Sequence, residues 1–317
     1  MLLDDVKRFG DALFHAYQEK DLDPRAFPDL ALAAIESTDL ISQLTQDTLQ
    51  RAVAQAQELP RQRNGPRALG DPPITLYNAP QESFYIEALY HVKASMAIHD
   101  HSFSGAFAVV SGECAHQIYD FLSDDPPGPL MVGELQPLPA QRLSAGIIQP
   151  ITGGMNFIHR NLHLDKPTIT IVIRTVWDGI HQHSYHYPGL ALDQHMSATE
   201  RKQFQLLRGM LSADEAAAKQ YLRNLVNAGM TPSHAYRCLD VFLKNVTGQG
   251  DLDEVLEAAR SLFGRQMPAV KSSLRQSQPV EPDLAQLVSN HVKNQVKGEK
   301  HADDFCDSDT TPTYRQS

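Results

Sequence analysis

The chain has 317 residues, 42% of them hydrophobic and 21% charged, and a formal net charge of -10. That length and apolar content supply one substantial core with helical appendages, or two smaller cores. An acidic surplus weighs against a nucleic-acid or anionic-membrane partner, since both call for a basic surface. The opening residues Met1-Leu2-Leu3-Asp4-Asp5-Val6-Lys7 carry acids where a signal peptide needs positive charge, and no later apolar run approaches the ~20 residues of a membrane span. A cytoplasmic location is expected. The three cysteines, Cys114, Cys238 and Cys306, are odd in number and far apart, which fits reduced thiols.

Residues 1–62 read as a helical region, with Val6, Phe9, Leu13 and Tyr17 near helical spacing and a second stripe at Leu40, Ile41, Leu44 and Leu49. The Pro, Gly and polar content of Pro60–Arg67 marks a loop. Over 70–190 the period changes to two. Ile74–Tyr77, Phe84–Val92, Gly105–Val110 and Thr168–Arg174 are the clearest strands, separated by turns such as Asp124–Pro129, Thr152–Gly154 and Asp165–Pro167, a pattern of small sandwiches and barrels.

Helix signals return over 195–268. Capping spacing occurs at Ser197–Glu200 and again at Ser212–Glu215, and apolar positions from Phe204 through Leu252 to Phe263 outline a bundle suited to packing or to homo-oligomerisation. The stretch 270–317 is polar and is expected to be largely disordered. The expected fold class is mixed β + α, a β-barrel flanked by N- and C-terminal helical regions.

Ten of the 14 histidines fall between His91 and His195. His99 and His101, at i and i+2 on one strand, point the same way and can reach one metal ion. Phe157-Ile158-His159-Arg160-Asn161-Leu162-His163 supplies a third ligand from a facing strand, but strand parity does not choose between His159 and His163. Asp100 points to the opposite face and orients a neighbouring strand. Arg174 shares a face with Thr170, so its guanidinium either enters the barrel mouth or pairs with an acid such as Asp178. Ile180–Gly189, holding His181, His183 and His186, reads as a rim loop; His91 and His116 read as strand-surface or core-edge residues.

His99-Asp100-His101 followed by Gly105, Ala106, Phe107 and Gly112, together with His159-Arg160-Asn161, resembles the two motifs of cupin barrels, and within them is most similar to the cysteine dioxygenase family of thiol dioxygenases. The resemblance spans Ile74 to Trp177, about a third of the chain. It implies a double-stranded β-helix and Fe(II) held by His99, His101 and His159, the last favoured by its His-Arg pairing, with His163 either supporting the ligands from behind or facing substrate.

The chain also departs from the family. Gly105 and Ala106 occupy the stretch where cupins carry a glutamate ligand, which favours an all-histidine set. Of the family's inward Ser, His and Tyr after the turn proline, only a hydroxyl survives, at Thr170, with Val172 and Arg174 at the other two positions. The early strand has Thr75-Leu76-Tyr77-Asn78 in place of the substrate arginine's context, leaving Tyr77 as a candidate pocket residue. The expected activity is oxidation of a small, carboxylate-bearing molecule by dioxygen, with Arg174, His163, Tyr77 and Thr170 around the substrate. Zn, Mn or Ni in an isomerase or hydrolase, or a non-catalytic sensor module, are the alternatives.

Overall fold

The computed structural model describes residues 2–63, 72–92, 97–246, 255–276 and 280–303. Residues 64–67 of the predicted loop, Leu252, Cys306 and the end of the tail from 304 lie outside the described residues.

Four helices open the chain: α1 (Leu2–Gln18), α2 (Phe27–Glu36), α3 (Leu40–Gln43) and α4 (Gln46–Gln55). Asp4 and Asp5 suit the first turn of α1 by charge, and α4 starts on a reciprocal cap between Thr45 and Thr48. Among the described residues, thirteen strands follow: β1 (Pro73–Asn78), β2 (Phe84–His91), β3 (Ile98–His101), β4 (Gly105–Ser111), β5 (Cys114–Leu122), β6 (Leu130–Val132), β7 (Glu134–Pro137), β8 (Gln141–Leu143), β9 (Ile148–Ile151), β10 (Gly154–His163), β11 (Thr168–Thr175), β12 (His183–His186) and β13 (Leu190–Asp193).

They form two antiparallel sheets. The smaller runs β1-β2-β11-β4-β9; the larger runs β6-β13-β12-β3-β10-β5-β7, with β8 also on β5. Their inner faces meet in a core of Leu89, Phe107, Val109 and Val172 against Cys114, Leu143 and Phe157. This is the expected mixed β + α fold, an antiparallel β-barrel with flanking helices.

Alternation on β2 and β11 gives the smaller sheet two working faces. Ile169, Ile171 and Ile173, with Phe84, Ile86 and Ala88, face outward and pack under Val6, Leu13, Tyr17, Phe27 and Ile35 of the N-terminal helices. Thr170, Val172 and Arg174 therefore point inward, as do Glu87, Leu89 and His91. The apolar helix layer fixes which face of the sheet is inside.

On the larger sheet, Leu130, Leu190 and Leu192 are covered by α5 (Ala198–Leu211), α6 (Glu215–Asn227), α7 (Pro232–Leu243), α8 (Arg260–Phe263) and α9 (Met267–Arg275). The Ser197–Glu200 capping box starts α5 as its spacing predicts. The second start differs: Asp214 caps α6, accepting from the Ala217 amide at 3.0 Å, while Ser212 closes α5.

Two further expectations are corrected. The polar stretch after 270 forms the end of α9 and a long helix, α10 (Pro282–Asp303). α10 docks through a short apolar stripe, Leu284 with Leu287 and Val288, together with polar groups. Leu284 packs against Ala115 and Leu162, Glu281 lies 3.6 Å from Arg160 and accepts from the Tyr187 hydroxyl at 2.7 Å, and His291 sits between Glu113 and Asp165 at 3.1 and 3.2 Å. The histidine-rich Ile180–Gly189 segment is not wholly a loop either. His183–His186 forms β12, paired with β3 and β13, because Asp100 draws it in with bonds to the His183 amide and the Tyr185 hydroxyl.

Among the described residues, no helix is long and apolar enough to cross a membrane.

Candidate metal centre

His99 and His101 sit on β3, and His159 on the neighbouring β10 is the register partner of His99. The three side chains are buried, and one ligand atom from each lies within 4.8 Å of the other two. Their ring centroids are 4.7–5.0 Å apart. Burial depresses the pKa of all three, most strongly for His101 and His159, so each is neutral near pH 7 with a lone pair to give.

Neighbouring groups set the direction of those lone pairs. His99 donates from Nδ1 to the Ala97 carbonyl at 2.8 Å, which leaves Nε2 free. His159 Nδ1 lies 2.9 Å from His116 Nε2, and its own Nε2 is enclosed without a hydrogen-bond partner, as is His101 Nδ1. Enclosed, unpartnered nitrogens on neutral imidazoles that converge in one place fit a divalent transition-metal ion.

His163 stands elsewhere. It lies at the far end of β10 opposite Cys114, its ring stacked on His91 at 3.8 Å and nearly parallel, and it is not on the wall of the metal cavity. Burial lowers its pKa to about 3. His159 is therefore the histidine that the fold brings to His99 and His101, and His91 occupies the wall position in front of His163.

The absence of a carboxylate ligand has a steric cause at Gly105, the β4 register partner of Arg174. A Cβ at this position would lie 1.9 Å from the Ile173 carbonyl oxygen, so the close approach of β4 to β11 admits no side chain there.

A cavity of about 50 Å³ opens on the triad, bounded by Leu89, Phe103, Phe107, Ile151 and Val172 and by a small set of polar groups. Arg174 is one of these. Its guanidinium carbon lies 3.3 Å from the Phe103 ring centre and 5.2 Å from that of Tyr85, and its Nε is enclosed without a partner. The inward reading of Arg174 is thus the one realised. Thr170 lines the same wall and bonds His91 Nε2 through Oγ1 at 3.0 Å. Asn161, two residues beyond His159, has an enclosed Oδ1 with no partner.

Tyr77 is not part of this cavity. A register shift between Thr75 and Tyr77 on β1 breaks the alternation, and the side chain lies among the N-terminal helices with its hydroxyl donating to Asp11 at 2.9 Å. His181, His183 and His186 do not line the cavity either. Asp100 behaves as expected: it faces away from the triad and accepts from Tyr185 at 2.9 Å. Burial alone would lower His183, but the hydrogen bond and charge of Asp100 more than offset it, so its pKa is raised.

Two further residues lie on or behind the wall: Glu87, with no sequence expectation attached, and His116, expected at the strand surface or core edge. Glu87 faces the cavity from β2, where burial lifts its carboxyl above the ordinary range against the opposing pull of Arg174 and Arg63. Its signal was parity with Leu89 and His91. His116, fully buried on β5, backs His159, and its Nδ1 lies 3.1 Å from Gln141 Nε2.

No protein-family model and no curated protein matches the chain. Among solved structures, the DMSP lyase DddQ from Ruegeria pomeroyi DSS-3 is similar at 18% identity and a TM-score of 0.26, over 43% of this chain and 64% of that one. A protein with a double-stranded β-helix domain from Klebsiella pneumoniae subsp. pneumoniae MGH 78578 is similar at 13% identity and a TM-score of 0.24, over 44% of this chain and 100% of that one. A cupin-2 domain containing protein from Shewanella frigidimarina NCIMB 400 is similar at 13% identity and a TM-score of 0.23, over 41% and 94%. The chain thus spans under two thirds of the length of the lyase.

Proposed function

We propose that the chain is a non-haem Fe(II)-dependent dioxygenase of the cupin type that oxidises a small carboxylate-bearing substrate. The observation that carries this reading is a triad of buried neutral histidines, without a carboxylate among them, sharing one cavity with Arg174. Three neutral ligands leave the full charge of a divalent ion uncompensated and leave positions open on it, which favours an anionic substrate and a second small ligand. Bound there, Fe(II) supplies the redox chemistry that joins dioxygen to a substrate which itself provides the electrons.

The chain's own residues bind and orient. Arg174 offers a planar fork to a carboxylate, and the Phe103 ring beneath it holds the guanidinium in place. Asn161 Oδ1 accepts a hydrogen bond from a substrate N–H or O–H, while the Thr170 hydroxyl, tethered to His91, flanks the same wall. Phe107, Ile151 and Val172 exclude water from the remaining surface. The cavity is small, about 50 Å³, so the substrate is compact.

Glu87 favours a second reading. A carboxyl with a raised pKa on the cavity wall is suited to carrying a proton, the task a metal-dependent isomerase or hydrolase would give it. Anaerobic purification, metal quantification and an oxygen electrode with a panel of thiol and non-thiol carboxylates distinguish the two. The dioxygenase reading expects about one iron per chain and oxygen uptake that depends on substrate. Product formation without oxygen uptake, lost in Glu87→Gln, would replace it with the proton-transfer reading.

A further inference from the structure

Among the described residues, a second cluster of metal-ligating side chains lies apart from the triad, where the turn between β4 and β5 meets the turn between β10 and β11. Glu113 stands in the first turn, Asp165 in the second, and His291 reaches both from α10. One oxygen of each carboxylate and one nitrogen of the ring lie within 4.8 Å of one another.

The two turns are tied together, which fixes both carboxylates. The Glu113 amide donates to Asp165 Oδ2 at 2.8 Å, and the Glu113 carbonyl accepts from the Leu164 amide at 2.9 Å and from the Thr168 hydroxyl at 3.1 Å. Gly112 permits this approach. Its φ is +77°, and a Cβ there would lie 3.2 Å from both Asp165 Cβ and Thr168 Cα. With Asp165 Oδ2 held in the turn, Asp165 Oδ1 and Glu113 Oε2 are the oxygens that meet His291, at 3.2 and 3.1 Å.

The His291 side chain is only 10% exposed, and its two ring nitrogens face one carboxylate oxygen each. An ionised carboxylate only accepts, and a neutral imidazole has one N–H, so the ring satisfies one of these contacts and the other calls for an added cation. A proton would serve the ring alone. A divalent ion would serve the ring nitrogen and both acids together, and one imidazole with two carboxylates is a donor set that Zn(II) takes. Arg142, 3.2 Å from the same Glu113 oxygen, is 34% exposed and can swing into solvent to admit the ion.

We propose that Glu113, Asp165 and His291 form a second metal site, which takes Zn(II) or a similar divalent ion and fastens α10 to the barrel. Three protein ligands leave a coordination position to water, and both carboxylates are 28% exposed, so this site exchanges its ion with solution while the enclosed triad retains its own. The site does not depend on the chemistry assigned to the triad.

Isothermal titration of Zn(II) into the metal-free full chain carrying His99→Ala and His101→Ala isolates the site. About one zinc per chain at micromolar affinity is expected. Glu113→Gln and Asp165→Asn, both near-isosteric, and His291→Ala are each expected to weaken it at least tenfold, with circular dichroism of the two amide variants unchanged. Limited proteolysis reads the fastening of α10 directly: zinc is expected to slow cleavage within this helix in the double variant, and to leave it unchanged once Glu113→Gln is added. Absence of binding below millimolar zinc would overturn the assignment and leave a proton as the cation. Binding within twofold of the double variant's after all three substitutions, or protection of α10 that persists with Glu113→Gln, would overturn it equally.

Discussion

Replacing His116 with leucine removes the group that the structure sets against His159 Nδ1 at 2.9 Å. For His159 to present Nε2 to a metal, its proton must sit on Nδ1 and be donated to His116 Nε2. His116 then carries its own proton on Nδ1, 3.1 Å from the Gln141 amide, which must turn its oxygen inward to accept it. In the leucine variant the Nδ1 proton is left in a buried site with no acceptor, at a cost of about 1–3 kcal/mol. Free of metal, the His159 ring can turn to relieve that cost; held by metal it cannot, so the loss falls on binding. The expected effect is a metal affinity lower by about 10–100-fold, the usual range for partners of metal-bound histidines. His116→Gln, whose side-chain oxygen can reach the place of Nε2, should restore most of it. Competition of the metal-free proteins against a chromogenic chelator for Zn(II) or Co(II) measures this without any assay of turnover. A folded leucine variant that binds within twofold of the parent would refute the reasoning, and so would a glutamine variant as weak as the leucine one.

Four other outcomes are expected. His99→Ala or His101→Ala should abolish metal retention while helical circular dichroism persists, because the N- and C-terminal helices pack on other faces of the sheets. Arg174→Ala should raise KM for a carboxylate substrate about 10–100-fold with a smaller change in kcat, as expected for a charge-assisted contact made before the chemical step, and lysine should restore only part of it. Gly105→Ala should lower stability by at least about 2 kcal/mol in urea titration, since its Cβ would lie 1.9 Å from a backbone oxygen. Acid should destabilise the metal-free protein well above the ordinary carboxylate range. Seven histidines (His99, His101, His116, His159, His163, His186 and His234) have folded pKa values below the ordinary 6.5, so the unfolded chain takes up protons first as pH falls below 6.5. Among the described residues, His183 and Glu87, both raised, act in the opposite sense in that window. Each excess proton contributes a slope of about 1.4 kcal/mol per pH unit. A urea midpoint that does not fall between pH 7 and pH 5 would contradict the burial assigned to these rings.

The parts of the site that were legible in sequence are those governed by strict alternation. Ile169, Ile171 and Ile173 set one face of β11, so Thr170, Val172 and Arg174 had to share the other. The His99/His101 pair follows the same rule. Tyr77 was lost because a register shift on β1 inserts a change of parity that no residue type announces. His116 reads as an edge residue in sequence because a buried histidine is recognisable as a partner only once β5 is known to lie beside β10. α10 is not legible because its apolar stripe is short, Leu284, Leu287 and Val288, and its polar partners Arg160, Tyr187, Glu113 and Asp165 are far away in sequence.

The energetic arrangement of the barrel points the same way as its geometry. His101 Nδ1, His159 Nε2, Asn161 Oδ1 and Arg174 Nε are enclosed without hydrogen-bond partners and belong to residues lining one small cavity. Each such atom costs on the order of 1–3 kcal/mol in a folded chain. A barrel interior selected for stability alone would fill this space with more residues like Leu89 and Val172. The chain instead buries its apolar surplus outside the barrel, beneath the N-terminal helices and under α5–α9, and keeps polar atoms inside. A metal ion and a carboxylate would satisfy the two nitrogens of the triad and the guanidinium together, so ligand binding and folding stability should rise in step. Metal added to the parent protein should therefore raise its melting temperature, and Arg174→Ala should leave that increment unchanged while removing the further increment due to a carboxylate ligand.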